Sequence, residues 1–202
     1  FRPVVEGEVT EALLCLPGEV TLEIRWERTV CFLVERERLD AYLTEQARRA
    51  GARLREGEAV ICVEESPEAV TLTTASGATH QVQLVIGADG AHSVVARSLG
   101  HLPPRHFALA AALVPPAEWA GRKGTILIDL GALSYGYGWV FPKSDHLNAG
   151  VVSFSTVRRL RPVWENFLGR SGLLGQPQLW LQAYPLGLAG EKKEFGRGRI
   201  ML

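Results

Sequence analysis

The chain has 202 residues, with 22 Lys and Arg balanced by 22 Asp and Glu, 47% hydrophobic residues and 22% charged ones. This is the composition of a globular protein with enough residues for a sizeable core, and a net charge of zero argues against general nucleic-acid binding, which leaves a basic excess. No apolar run approaches the length of a membrane span, no leader peptide is visible, and a first residue of Phe1 points to a piece of a longer chain. Cys15, Cys31 and Cys62 are odd in number and fit no zinc spacing, and the five histidines are scattered. Buried or incidental thiols in a reducing cytoplasm and no metal are therefore expected.

Up to Val34 apolar and polar residues alternate, most clearly in Val20-Thr21-Leu22-Glu23-Ile24-Arg25-Trp26. This predicts strands, with Pro17-Gly18 as a turn. Leu39, Tyr42, Leu43 and Ala47 then recur at helical spacing and predict a helix over 38–50, ended by Gly51. Its start, Val34-Glu35-Arg36-Glu37-Arg38-Leu39-Asp40, is strongly charged. Read alone, its arginines are a solvated face. A guanidinium such as Arg36 is also the group that pairs best with phosphate oxygens.

Strands are predicted over 58–64 and 69–75, joined through Ser66-Pro67, and Ser76-Gly77 makes the next hairpin. Residues 79–86 lead on, with Gln83 to Ile86 read as a buried strand that stops at Gly87-Ala88-Asp89-Gly90. A short helix is predicted over 91–99, stopped by Gly100. Strand, Gly-Asp-Gly turn and helix start together turn backbone N–H groups outward, toward a cofactor phosphate or ribose. Asp89 can accept hydrogen bonds from ribose hydroxyls, and Gly90 permits close approach. Asp89 is equally suited to an ordinary turn in which it caps the helix. Residues 36–100 are expected to form one compact α/β piece.

Farther on, strands are predicted over 107–114, 125–130, 137–141, 147–154 and 179–186, with a helix over 157–170 that turns Val163, Phe167 and Leu168 inward. The pattern is that of an antiparallel or mixed sheet with a helix on it. In Tyr135-Gly136-Tyr137-Gly138-Trp139-Val140-Phe141-Pro142-Lys143, the side chains of Tyr137, Trp139 and Phe141 share one strand face. Gly136 and Gly138 leave the other face bare, open to a backbone or ligand. Such an aromatic row suits an extended apolar chain or a ring, and it also suits a core strand.

Three strings, in this order, resemble the geranylgeranyl reductase family of FAD-dependent oxidoreductases, which has the para-hydroxybenzoate hydroxylase fold. Gly87, Asp89, Gly90 and Ser93 match its Gly-Ala-Asp-Gly-x-x-Ser motif, and Arg97, four residues after Ser93, has the spacing of the reductase branch. Arg36 matches the Arg of Val-x-Arg-x-x-Phe-Asp-x-x-Leu, with Leu39 in place of Phe. Tyr137, Trp139, Phe141 and Pro142 match Tyr-x-Trp-x-Phe-Pro, and Asn148 and Gly150 continue the family pattern. The full motif opens with Pro where Ser134 stands here, which leaves the loop before the strand, and with it the substrate, open.

The resemblance implies an α/β (α+β) fold: a partial FAD-binding α/β region over 36–102, and a mixed or antiparallel substrate-binding sheet built from 1–35 and 103–202. It implies FAD held by Arg36, Gly87, Asp89, Gly90 and Ser93, and a prenyl substrate lined by Tyr137, Trp139, Phe141 and Pro142. The implied reaction saturates carbon–carbon double bonds of a geranylgeranyl-type chain, with the electron donor open between NADPH and ferredoxin. No catalytic acid is named; Tyr137 is a candidate on chemistry alone. No Gly-x-Gly-x-x-Gly fingerprint is present. The closing string Gly198-Arg199-Ile200-Met201-Leu202 is of the kind that in the family runs into the Gly-Asp motif holding the ribityl chain. The fragment alone is thus expected to bind FAD weakly, to be inactive, and to oligomerise through exposed strand edges. The implied setting is the cytoplasm, with peripheral membrane contact as a further expectation. The alternatives are an FAD-dependent aromatic hydroxylase or halogenase, against which the aromatic string argues, and a non-catalytic module that binds apolar ligands.

Overall fold

The computed structural model describes residues 2–18, 20–101, 106–155, 159–186 and 194–202. In chain order the elements are β1 (Val5–Val9), β2 (Glu11–Cys15), β3 (Thr21–Arg25), β4 (Cys31–Val34) and helix α1 (Arg36–Arg49), then β5 (Val60–Glu65), β6 (Val70–Thr74), β7 (Thr79–Val82), β8 (Val85–Ile86) and the short helix α2 (Val94–Ser98). There follow β9 (His106–Leu113), β10 (Thr125–Asp129), β11 (Gly136–Pro142), β12 (Leu147–Ser153), helix α3 (Arg161–Arg170), β13 (Gln178–Leu186), β14 (Gly196–Arg197) and β15 (Ile200–Met201). They form two compact units, Phe1–Ala52 with His106–Tyr184, and Arg53–Arg105 with Pro185–Leu202.

The larger unit is built on a seven-stranded sheet in the order β13-β9-β12-β11-β10-β2-β3. The sheet is mixed: β10 runs parallel to β2, while β9, β12, β11 and β10 pair antiparallel in succession. Strand alternation sorts its side chains onto two faces. Leu127, Val140, Leu147 and Val151 face α3 and form the core with Trp164, Phe167 and Leu168. Phe167 and Leu168 face inward as the sequence predicts. Trp164, also fully buried, stands one turn before Phe167 and Leu168 on the same face, while the predicted Val163, about 100° round the helix from it, is only half-buried. Helix α3 starts at Arg161, after the described residues 159 and 160; 156–158 lie outside the described residues. Outside this sheet, β1 and β4 form an antiparallel ribbon, with Val9 opposite Cys31.

Helix α1 falls in the larger unit, so the compact units do not divide at residue 36. The ties are local and polar: the Arg38 guanidinium pairs with Glu6 Oε1 at 2.9 Å, and the Lys143 ammonium donates to the Val34 carbonyl just before the helix. Gly51, at φ +96°, ends the helix as predicted. Its inward residues Leu39 and Tyr42 are only half-buried.

The smaller unit holds an antiparallel sheet β5-β6-β7 and a second sheet β14-β15-β8, with Val63, Val70, Val85, Val95, Leu99 and Ile200 in its core. The predicted continuous segment 79–86 is broken. After Val82 the chain leaves the β6 ladder, and Val85–Ile86 pairs in parallel with Ile200–Met201 instead. The expectation of a buried Gln83–Ile86 strand is corrected accordingly: Val85 is buried, but Ile86 is 67% exposed. A two-residue strand paired on one side can sink only one of its faces.

Candidate functional site

The Gly87-Ala88-Asp89-Gly90 turn leaves the carboxyl end of β8, beside the parallel strand β15; the Gly87 N–H donates to the Met201 carbonyl at 2.7 Å. The carboxyl ends of parallel strands are where open α/β sheets bind ligands. The helix that follows starts at Val94, not at Ala91, because residues 90–93 form a turn in which the Ser93 N–H donates to the Gly90 carbonyl. Ser93 then caps α2, its hydroxyl oxygen accepting from the Ala96 N–H at 2.8 Å.

Asp89 completes this cap. One carboxylate oxygen accepts from the Ser93 hydroxyl; the other accepts from the Val94 N–H at 2.7 Å and the Val95 N–H at 3.4 Å. Partial burial acts to raise the Asp89 pKa, but these hydrogen bonds outweigh it and hold the carboxyl below the usual carboxylate range. The capping reading of Asp89 is therefore correct as structure, and it does not exhaust the group. A carboxylate has about four acceptor positions, these bonds use three, and the residue is exposed. Gly90, at φ +80°, has open space where a side chain would project. Gly87 plays a different part: a Cβ there would lie 2.6 Å from the Val95 Cβ, so its small size lets helix and strand pack closely. Ser93 is buried. Asp89 and Gly90 are thus the members of the motif placed to meet a ligand. Arg97, next along, is exposed on α2.

Arg36 opens α1 with its side chain 81% exposed and ion-paired to Asp40 at 3.1 Å, one turn on. It belongs to the larger unit and Asp89 to the smaller. Beside it stands a cluster the sequence reading missed: Lys143 pairs with Glu35 Oε1 at 3.1 Å, and His146 Nε2 lies 3.6 Å from the same oxygen. Lys143 closed the aromatic string, but the contact bridges 108 positions along the chain, and nothing local marks its partner.

The aromatic string forms a wall on the sheet face away from α3. Ring centroids are 6.0 Å apart for Phe154 and Tyr137, 6.1 Å for Tyr137 and Trp139, and 6.3 Å for Trp139 and Phe141. All four rings remain partly exposed. Two expectations are corrected here. The face left bare by Gly138 is filled by Phe167 of α3, whose ring lies where a Cβ would go. Pro142 does not stand with the wall: alternation puts it opposite Leu147 on the α3 side, where it is buried. A cavity of about 220 Å³ also lies on that side, lined by Cys15, Leu127, Asp129 and Arg170 among others. Its charges are already paired, Arg170 with Asp129 at 3.0 Å.

Cys31 and Cys62 are exposed free thiols, not buried ones, and Cys15 is half-buried. Among the described residues, no cluster of three or more His, Cys, Asp or Glu could hold a metal, and no helix is long and apolar enough to cross a membrane.

The smaller unit thus carries a Gly-Asp-Gly turn at the carboxyl end of a parallel strand, the kind of place where open α/β sheets take nucleotides, and the larger unit carries a sheet with an aromatic wall. The FAD binding domain family matches residues 6–111, just over half of the chain. The chain is 28% identical to the chloroplastic geranylgeranyl diphosphate reductase of Arabidopsis thaliana, over 91% of this chain and 44% of that protein. It is 32% identical to the menaquinone reductase of Mycobacterium tuberculosis, over 72% of this chain and 40% of that protein. It superposes with a TM-score of 0.76 on the crystal structure of a geranylgeranyl bacteriochlorophyll reductase-like protein from Thermoplasma acidophilum, at 21% identity, covering 100% of this chain and 55% of that one. The chain belongs to the FAD binding domain family, among the FAD-dependent oxidoreductases that include the geranylgeranyl reductases. It spans less than half the length of these curated relatives.

Proposed function

We propose that this chain is the substrate-binding and part of the cofactor-binding region of an FAD-dependent reductase acting on carbon–carbon double bonds of a prenyl chain. The observation that carries the reading is the Phe154-Tyr137-Trp139-Phe141 ladder, whose four rings all remain partly exposed on the sheet face away from α3. An extended unsaturated hydrocarbon would bury both its own surface and the wall's, at about 25 cal/mol per Å². Relatives named as reductases of geranylgeranyl diphosphate and of menaquinone support the assignment.

The exposed turn fits a flavin nucleotide. The open acceptor position of Asp89 would take a ribose hydroxyl, and Gly90 would allow backbone approach. Arg36, in the other unit, has an exposed guanidinium that could exchange Asp40 for a phosphate oxygen. When bound and reduced, FAD supplies a hydride. The wall's part is to hold the double bond in place and keep water away from it. Tyr137 is the wall residue with a transferable proton for the second carbon. The electron donor is proposed to be NADPH or ferredoxin, and the substrate's insolubility is consistent with work at a membrane surface.

The test uses the full-length protein loaded with FAD and reduced without oxygen, then mixed with geranylgeranyl diphosphate. The expected result is flavin reoxidation, with a mass gain of two hydrogens per bond reduced. Oxygen-dependent hydroxylation or halogenation of an aromatic compound, with the prenyl substrate inert, would contradict it. So would a full-length protein that binds prenyl lipid but never takes up flavin.

A further inference from the structure

We infer that Asn148 is a positioning residue that pins Trp139 flat against β12, and that this pin makes the wall select long prenyl chains over short ones. The inference rests on the prenyl reading above. The Trp139 indole N–H donates to Asn148 Oδ1 at 2.9 Å. Gly150 stands directly opposite Trp139 on the neighbouring strand, and Asn148 opposite Phe141. The benzo ring of Trp139 occupies the space where a Cβ of Gly150 would sit. The indole is therefore held from two sides, by an acceptor at its nitrogen and by a bare backbone beneath its ring. Asn148 is a polar side chain on an otherwise apolar face, and its oxygen is spent on this one bond.

The direction of the lean matters. By register, Ile126 and Ile128 of β10, Ala12 and Leu14 of β2, and Leu22 and Ile24 of β3 all present the same face as Trp139. With the indole lying over β12, Ile126, Ile128, Leu14, Leu22 and Ile24 of this strip remain at least partly exposed, and Ala12 is buried. From Trp139 on β11 across to the far strand of the strip, β3, is three strand spacings, about 14 Å. A long prenyl chain fills such a bed, and a short one leaves much of it empty. Released from Asn148, or pushed up by a methyl at Gly150, the indole can swing over Ile128 and close the near end of the strip.

The test compares Asn148→Leu, which keeps the size and loses the acceptor, with Asn148→Asp, which keeps an acceptor. Two quantities are read on the folded protein: hydrogen exchange of the Trp139 indole N–H by NMR, assigned with Trp139→Phe, and the affinities for geranylgeraniol and geraniol by fluorescence titration. Circular dichroism confirms that each variant is folded. Asn148→Leu is expected to speed indole exchange and to weaken geranylgeraniol binding by about three- to tenfold, the loss of one hydrogen bond's worth of order, with geraniol nearly unaffected. Asn148→Asp should stay close to the native protein in both readouts. The inference is overturned if Asn148→Leu keeps slow exchange and an unchanged affinity ratio, or if Asn148→Asp is as damaged as Asn148→Leu. A native protein that binds neither alcohol would bring down the prenyl reading itself, and this inference with it.

Discussion

Gly138→Ala puts a methyl where the Phe167 ring already lies. The nearest ring atoms overlap the added carbon, and even Phe167 Cγ stands only 3.0 Å from it. Ordinary carbon contacts are about 3.5–4.0 Å. Neither partner can retreat easily. Phe167 is 0% exposed at the centre of the core, and Gly138 is paired to Asp129 on one side and Val151 on the other. Overpacking of this kind costs about 1–3 kcal/mol. In a domain of this size each kcal/mol shifts Tm by about 2–4 °C, so a fall of roughly 2–12 °C is expected. Thermal unfolding followed by circular dichroism measures it. Phe167→Leu destabilises the native protein by removing buried ring carbons, but in the Gly138→Ala background it should relieve the clash. The double variant should then be more stable than the sum of the single losses, by about 0.5–3 kcal/mol. An unchanged Tm for Gly138→Ala, or strict additivity in the double variant, would show that α3 does not cover this face of β11, and the aromatic wall would lose its assignment to the free face.

Asp89→Ala removes a carboxylate that caps α2 and should cost about 1 kcal/mol, up to about 2, in urea unfolding. Hydrogen bonding depresses the pKa of Asp89, so its stabilisation is fully present above its unfolded value near 3.8 and is lost as pH falls through the lower folded value. The stability difference between native protein and Asp89→Asn should therefore be level near neutrality and shrink in acid; a difference that grows on acidification would refute the assignment. Asp129→Ala removes the buried carboxylate that pairs with the partly exposed Arg170 and leaves a gap, and should cost about 2–3 kcal/mol, somewhat less than a fully buried pair, again by urea unfolding. The Cys31 thiol, exposed but with its pKa pushed up by partial burial, should alkylate more slowly near neutral pH than a free cysteine in solution, as read by timed mass spectrometry.

Much of the larger unit was legible in the sequence because its strands alternate cleanly. The Tyr137, Trp139 and Phe141 face follows directly from a period of two, and the same rule, applied one residue further, removes Pro142 from it. What could not be read was what fills the opposite side. Bare glycines predict close approach but not by whom, and the answer, Phe167, lies 29 positions away on a helix. Around Asp89 the turn was legible and its allegiance was not. The dipeptide reads as a cap or as a ligand contact, and the structure shows three capping bonds with one acceptor position left over. The break of 79–86 into two strands depends on Ile200 and Met201, more than a hundred residues downstream, a pairing that no local pattern encodes. The Glu35, Lys143 and His146 cluster is of the same kind.

The most direct test of the apolar wall is the binding position of geranylgeraniol, read from ligand-to-protein NMR contacts or a crystal structure of the complex. The chain should touch Tyr137, Trp139 and Phe141 and run on toward Ile128 and Leu14, leaving the Phe167 ring untouched. A ligand lodged on the α3 side, in the space between Leu127 and Arg170, or one that binds without contacting Trp139, would contradict the account.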